Sequence, residues 1–178
     1  RELGKFLLNG SLYQGFKPVF WSTVEKTALA DAEVEYMDHT SNTIYVAFKV
    51  KETKQEFLKD ASVIIWTTTP WTIPANKALA FNNKIEYSVL EISELDNFKE
   101  KKIIVASNLI ESITKVCEIE NYKVLKTFEG KDFTGTICSH PFSKMNFDYD
   151  VPMLNAQFVN LDQGTGIVHC APSHGPDD

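Results

Sequence analysis

The chain has 178 residues, 43% of them hydrophobic and 24% charged, with a formal net charge of −6. These proportions suit one folded domain, or one domain with short extensions, and exclude disorder over the whole length. The longest strongly apolar runs, such as Val63 to Trp66, fall far short of the ~20 residues of a membrane helix, so no membrane association is expected.

The acidic balance and the lack of a Lys/Arg-rich block argue against gripping a long nucleic-acid backbone and leave contact with a short single-stranded end open. Three cysteines, Cys117, Cys138 and Cys170, form no Cys-x-x-Cys pair. That disfavours a disulfide framework or a cysteine-rich zinc site and fits a reducing, cytoplasmic setting. No leader pattern is visible, and the chain starts at Arg1 rather than Met, which reads as a segment of a longer polypeptide.

In chain order, Leu3, Phe6 and Leu7 share one helical face, which predicts the tail of a helix over 1–8 with Gly10 as its stop. Phe16 to Trp21 reads as extended. Val34 to Val50 predicts a hairpin turning at Asp38 to Asn42, and the β-branched run Ala61 to Trp66 predicts a buried strand. Pro70 and Pro74 make 67–76 a loop.

Lys77 to Phe81, Glu86 to Ile92 and Ile103 to Ala106 read as strands. Asn108 and Glu111 can form a capping box before a helix that carries Leu109, Ile110, Ile113, Val116 and Cys117 on one face. Tyr122 to Leu125 and Gly135 to Cys138 predict strands around a turn at Glu129 to Lys131. A glycine-rich turn, Gly164 to Gly166, leads into the strand Ile167 to Cys170 and a final loop. Many short strands with one clear helix point to a β-rich α/β fold, with a closed or nearly closed β-barrel core and peripheral helices.

Two loops concentrate polar groups at strand ends. Thr67-Thr68-Thr69-Pro70-Trp71-Thr72, closing at Asn76, offers uncharged donors and acceptors between two indole walls, Trp66 and Trp71. Turn bonding by Thr hydroxyls accounts for such a run without any chemistry. His169-Cys170-Ala171-Pro172-Ser173-His174-Gly175-Pro176-Asp177-Asp178 gathers two imidazoles and two carboxylates.

Three reaction classes can use the second set. A metal site would take His169, His174 and an aspartate, although the prolines forbid a His-x-x-x-His helix. A nucleophile at Ser173 or Cys170 would lack a Gly-x-Ser-x-Gly elbow. Hydrolysis by a positioned water would use a carboxylate to hold a substrate cation and hydroxyls to hold the scissile carbonyl. His140 beside Pro141 reads as a packed or surface histidine, and His39 as a turn residue.

Trp66-Thr-Thr-Thr-Pro-Trp-Thr-Ile-Pro-Ala-Asn76 resembles the threonine-rich segment of isoleucyl-tRNA synthetase editing domains. Gly164-Thr-Gly-Ile-Val-His-Cys-Ala-Pro-Ser-His-Gly-Pro-Asp-Asp178, about a hundred residues later, resembles their second signature. Phe16-Lys-Pro-Val-Phe-Trp-Ser22 with Thr27-Ala-Leu-Ala30 is similar to the ribbon joining that domain to the synthetase body. The stretch from Gly130 through His140-Pro141-Phe142 also fits, so the resemblance covers essentially the whole chain. It implies a joining ribbon over 1–32 and an editing domain over 33–178. Valyl and leucyl relatives typically carry an arginine before the proline and an acidic residue after it. The His-x-Gly-His and Lys-Met-Ser-Lys-Ser runs of the synthetic site are absent, so ligase activity is not expected from this segment, and ATP and zinc would belong to the parent enzyme.

Physics gives such a domain its purpose. A pocket cannot sterically reject a smaller ligand, and one methylene is worth only about 1–3 kcal/mol, a magnitude for which isoleucyl enzymes are themselves the usual worked example. The resemblance implies hydrolysis of valyl-tRNA(Ile), and of valyl-adenylate, by water, with no cofactor or metal in this segment. Expected partners are the valine-bearing 3′ end of tRNA(Ile), valyl-adenylate and the rest of the synthetase in cis; a monomer is expected.

By motif position, Asp178 would bind the α-ammonium group, Thr67, Thr68 and Thr69 would contact the carbonyl, ribose or water, and His169 would wall the side-chain pocket. Trp66, Trp71, Asn76, His174 and Asp177 would support binding. Ser173 stands where the family usually has glycine, so a positive φ there would strain it. Two other readings are a passive insert that docks the tRNA acceptor end and threonine editing in a valyl-type enzyme. A free-standing small-molecule hydrolase is a third class, against which the joining ribbon counts.

Overall fold

The computed structural model describes residues 1–16, 18–93 and 98–175. A first helix, α1 (Glu2–Leu8), buries none of its residues, and Gly10 beyond it has φ +79°. A two-residue ribbon follows, β1 (Trp21–Ser22) against β2 (Thr27–Ala28). Residues 34–43 form no strand, so the expected hairpin is absent and only its second half exists, as β3 (Ile44–Glu52). Tyr36 and Met37 are almost fully exposed, so the alternation there has no apolar surface to face.

The remaining strands are β4 (Ser62–Thr67), β5 (Ala78–Phe81), β6 (Glu86–Ile92), β7 (Lys102–Ala106), β8 (Tyr122–Glu129), β9 (Ile137–Ser139), β10 (Asp150–Asn155) and β11 (Val168–Cys170), with α2 (Ile110–Val116) between β7 and β8. With β3 they form one mixed sheet in the order β11-β5-β10-β9-β3-β4-β7-β6-β8. The pairs β4–β7 and β10–β5 are parallel and the other ladders antiparallel.

The centre of the sheet is buried on both faces, which is why β4 reads as a continuous apolar run rather than an alternating one. Val63 and Ile65 of β4 join Phe48, Tyr87, Val89, Ile104, Phe128 and Phe133 in the main core. Ile64, facing the other way, joins Leu90, Ile103, Val105 and Ile113 of α2 in a second, smaller core.

The sheet curls until β11, at its margin, lies near β4. No ladder joins them among the described residues, so pairing gives no closed barrel. The margins of the sheet are β11 and β8, and among the described residues no ladder joins β11 to β8 or to β4, whose second edge β7 takes only at Ser62 and Val63.

Three further expectations change. Leu109 takes the N-cap position of α2 without a side-chain cap, because a 3-10 turn over Ser107–Leu109 precedes it, so the Asn108–Glu111 capping box is not formed; Val116 is exposed. The strand begun at Tyr122 runs on to Glu129 and pairs with β6, not with β9. Gly130–Phe133 then forms a 3-10 turn that buries the Phe133 ring against Phe81, Tyr87 and Phe128. The sequence reading also misses β10, which contains Pro152. That proline sits where the strand changes partner, antiparallel to β9 over 150–152 and parallel to β5 over 153–155, a register where a missing N–H is tolerated.

Candidate functional site

The two polar loops meet. β4 ends at Thr67, and the chain turns through Thr68 and Thr69 into a 3-10 turn, Pro70–Ala75. Pro70 starts that turn with its φ preset and no N–H to satisfy. The segment expected as plain loop is therefore a short, rigid helical turn. On the other side, Gly164 to Gly166 delivers the chain into β11. Gly166 has φ +75°, and a Cβ there would lie 2.5 Å from the Ala106 Cβ, so glycine alone fits. The turn is held by Ala106 N–H donating to Thr165 O (2.9 Å) and by the buried Tyr87 hydroxyl donating to Gly166 O (2.8 Å).

Between the loops lies a small cleft of about 190 Å³, lined by Trp66, Thr67, Thr68, Thr69, Thr72, Val168, His169, Ala171 and His174. Such a volume suits the end of a ligand rather than a whole drug-sized molecule. Its described walls carry hydroxyls, imidazoles and apolar groups, with no carboxylate or ammonium.

A continuous hydrogen-bonded chain runs along one wall. The Thr69 amide donates to Thr67 Oγ1 (3.1 Å), and the two hydroxyls lie 3.2 Å apart. Thr72 Oγ1 donates to Thr69 O (2.9 Å) and lies 3.0 Å from His169 Nε2. The other ring nitrogen, His169 Nδ1, is 2.7 Å from Asn76 Nδ2. An amide nitrogen only donates, so Nδ1 accepts and the ring proton sits on Nε2, pointing at Thr72 Oγ1. The amide orientation is fixed in turn, because Asn76 Nδ2 also donates to Ala78 O (2.9 Å) and faces Cys170 O at 3.5 Å. Asn76 is fully buried, and its Oδ1 has no partner. With both nitrogens engaged this way, His169 has no lone pair left to take a proton from water. Its ring is held in one orientation at the cleft.

The structure thus brings Trp66, Thr67, Thr68, Thr69, His169 and His174 to one cleft. Asn76 lies behind it, against His169. Trp71 does not line it: the indole is 72% exposed beside the turn. Asp177 and Asp178 lie outside the described residues. Ser173 has φ +70°, the strained conformation expected if that position favours glycine. Thr72 is the cleft residue to which sequence reasoning gave no role. Its spacing of three from Thr69 within a proline-started turn was the available signal. Among the described residues no three His, Cys, Asp or Glu side chains are placed to share a metal ion, and no helix is long and apolar enough to cross a membrane.

Comparison with known proteins fits this arrangement. The family model of the class I tRNA synthetases (I, L, M and V) matches residues 1–163. The isoleucine–tRNA ligase of Pelagibacter ubique is 67% identical over the whole chain, and that of Gluconobacter oxydans 49% identical over 99% of it. The chain spans only about a fifth of the length of these relatives, 20% and 19% respectively. Among solved structures, GlLeuRS-CP1 superimposes with a TM-score of 0.56 at 15% identity, covering 74% of this chain and 55% of that one. The P. knowlesi cytosolic leucyl-tRNA synthetase editing domain gives 0.53 at 12% identity, covering 72% of this chain and 56% of that one. At those identities the likeness is one of fold. The chain belongs to the class I tRNA synthetase family of the isoleucine, leucine, methionine and valine type, with isoleucine–tRNA ligases as its curated relatives and the β-rich fold shared with leucyl editing domains.

Proposed function

We propose that this chain is the hydrolytic editing domain of an isoleucine–tRNA ligase, clearing valine from mischarged tRNA(Ile) and from valyl-adenylate. The observation that carries the reading is the Thr67–Thr69–Thr72–His169 chain along a cleft sized for an aminoacyl end. Residues 1–32 are the ribbon to the synthetase body, and the body supplies ligase chemistry, ATP and zinc from outside this segment.

In this reading the valyl ester enters with its carbonyl toward the threonine turn. Preplaced neutral hydroxyls stabilise the developing oxyanion without first being stripped of a charged partner. Water attacks, the ester C–O bond breaks, and the terminal ribose oxygen leaves with a proton. The described walls hold no carboxylate, and His169 has both ring nitrogens engaged, so in this reading the proton is taken by water or by a ribose hydroxyl. His169, held in one orientation by Asn76 and Thr72, bounds the side-chain space so that valine fits and the extra methylene of isoleucine does not. Asp178 binds the α-ammonium group, as its motif position implies, and Asp177, His174, Trp66 and Trp71 support the bound end.

The test is selectivity under substitution of the wall. Deacylation of valyl- and isoleucyl-tRNA(Ile) is compared for the wild type and His169→Ala. Enlarging the pocket is expected to raise isoleucyl hydrolysis relative to valyl by roughly tenfold or more, the value of a methylene's worth of space. An unchanged ratio would remove His169 from the specificity wall.

A further inference from the structure

We propose that His140 and Tyr149 are positioning residues of this cleft, acting through Asn76 on the orientation and tautomer of His169. The inference deepens the editing reading and rests on it for the meaning of His169, while its geometry stands alone.

His140 is 1% exposed. Its ring is stacked on Phe147 at 5.1 Å, edged by Phe48 (6.1 Å) and Phe142 (5.6 Å), and tilted against Tyr149 (5.2 Å). The Phe142 amide donates to Nδ1 (3.1 Å), so the proton of this neutral ring sits on Nε2 and donates to Ile73 O (2.9 Å). A packed histidine with two satisfied nitrogens would normally end there. Here the acceptor matters: Ile73 O also receives the backbone N–H of Asn76 (3.0 Å). The carbonyl of Asn76, for its part, receives the Tyr149 hydroxyl at 2.6 Å. Tyr149 is itself steadied by Lys77, whose Nζ lies 4.4 Å from the ring centroid.

Asn76 is thus clamped at its N–H through Ile73 and at its C=O by Tyr149. The closing turn of Pro70–Ala75 otherwise exposes these terminal carbonyls with no helix beyond to satisfy them. The clamp sets the backbone from which Asn76 Nδ2 reaches His169 Nδ1. A donor placed there selects the Nε2–H form of His169, and that proton then engages Thr72, whose hydroxyl turns to Thr69 O. Neither residue lines the cleft, yet through the backbone of Ile73 and Asn76 the two govern the wall facing the substrate.

Four variants of the protein test this. Tyr149→Phe removes one hydroxyl and keeps the ring. His140→Phe keeps an aromatic ring and loses both hydrogen bonds, and His140→Gln restores a donor for Ile73 O. Asn76→Ala removes the proposed intermediary. Tautomer populations come from the ring ¹⁵N shifts of His169, and kcat and KM from hydrolysis of valyl-tRNA(Ile).

Tyr149→Phe and His140→Phe are expected to convert a single Nε2–H signature into a mixture. They should lower kcat roughly three- to tenfold, the effect of the one hydrogen bond each variant removes from the Asn76 clamp, with KM held within about twofold. His140→Gln should recover most of both readouts, and Tyr149→Phe should add nothing in the Asn76→Ala background. An unaltered His169 spectrum in folded Tyr149→Phe, or full additivity with Asn76→Ala, would overturn the proposal. If His140→Phe fails to fold, Tyr149→Phe decides alone. If the wild type hydrolyses nothing, the editing reading fails, and the ¹⁵N measurement still decides the positioning claim.

Discussion

Replacing one atom of Asn76 tests the hydrogen-bond logic behind the cleft. Asn76→Asp is nearly isosteric, but it exchanges the donor Nδ2 for an oxygen. That oxygen would stand 2.7 Å from His169 Nδ1, 2.9 Å from Ala78 O and 3.5 Å from Cys170 O. Two donated bonds are lost, each worth about 1 kcal/mol net. The ring can answer by moving its proton to Nδ1, but then Nε2 must take the Thr72 hydroxyl proton, and Thr69 O keeps only the Thr72 backbone N–H. The two backbone carbonyls still face an oxygen, and a fully buried carboxylate adds the larger share, for a total of about 3–5 kcal/mol at neutral pH.

That is a large fraction of the 5–15 kcal/mol that typically holds a domain together, given as an order of magnitude. The sign with pH follows from burial, which raises the folded carboxyl above its unfolded value of about 3.9. The protonated acid keeps one donor for Ala78 O, so the variant is least damaged below about pH 4 and loses stability as pH rises through the folded value. Urea unfolding of wild type and variant near pH 4.5 and near pH 7.5 should show the gap widening with pH, by roughly 1–3 kcal/mol. A variant within about 0.5 kcal/mol of wild type at both values would refute the assigned amide orientation and the tautomer drawn from it.

Other outcomes follow from single positions. Ser173, exposed and at φ +70°, should gain from Ser173→Gly, by about 1 kcal/mol and a melting temperature higher by roughly 2–4 °C in calorimetry. Gly166→Ala combines φ +75° with a Cβ 2.5 Å from Ala106 and should cost about 2–4 kcal/mol in denaturant unfolding. Burial pushes the Tyr87 hydroxyl up to about 12 from an ordinary value of 10.0, partly offset by the Asn82 amide that donates to it. The neutral form is therefore favoured in the fold: its contribution is whole below pH 10, falls as pH rises toward 12, and amounts to about 2–3 kcal/mol. Tyr87→Phe should flatten that part of the alkaline stability profile, as followed by circular dichroism.

Much of the fold was legible wherever local pattern and tertiary role agree. β4 announces itself because both of its faces are buried, and β6 and β7 because β-branched residues fill two cores at once. The pattern misleads where burial is missing, as at Tyr36 and Met37, whose alternation meets no partner strand. β10 was hidden by Pro152, which reads as a breaker until the change of partner at 152–153 supplies a place for it. Strand order is a non-local property: nothing near β4 in sequence says that β7 will pair in parallel with Ser62 and Val63.

The site divides in the same way. The two motifs named the threonine turn and His169, but they did not reveal that Thr72 and Asn76 hold opposite nitrogens of one imidazole. Nor did they distinguish the role of Trp71, whose indole faces solvent while Trp66 lines the cleft. Such facts depend on which way a six-residue turn faces, and two prolines limit that turn without fixing it. His140, beside Pro141, reads from sequence as a packed or surface histidine, because nothing adjacent to it shows what its ring will bond. Its importance lies in a carbonyl 67 residues away.

The most direct test of the central claim is the rate at which the wild-type protein deacylates valyl-tRNA(Ile) and isoleucyl-tRNA(Ile) under identical conditions. A second sieve of this kind predicts rapid loss of valine with isoleucine retained, a preference of at least roughly tenfold for the smaller ester. Equal rates for the two esters, or no hydrolysis of either, would contradict it.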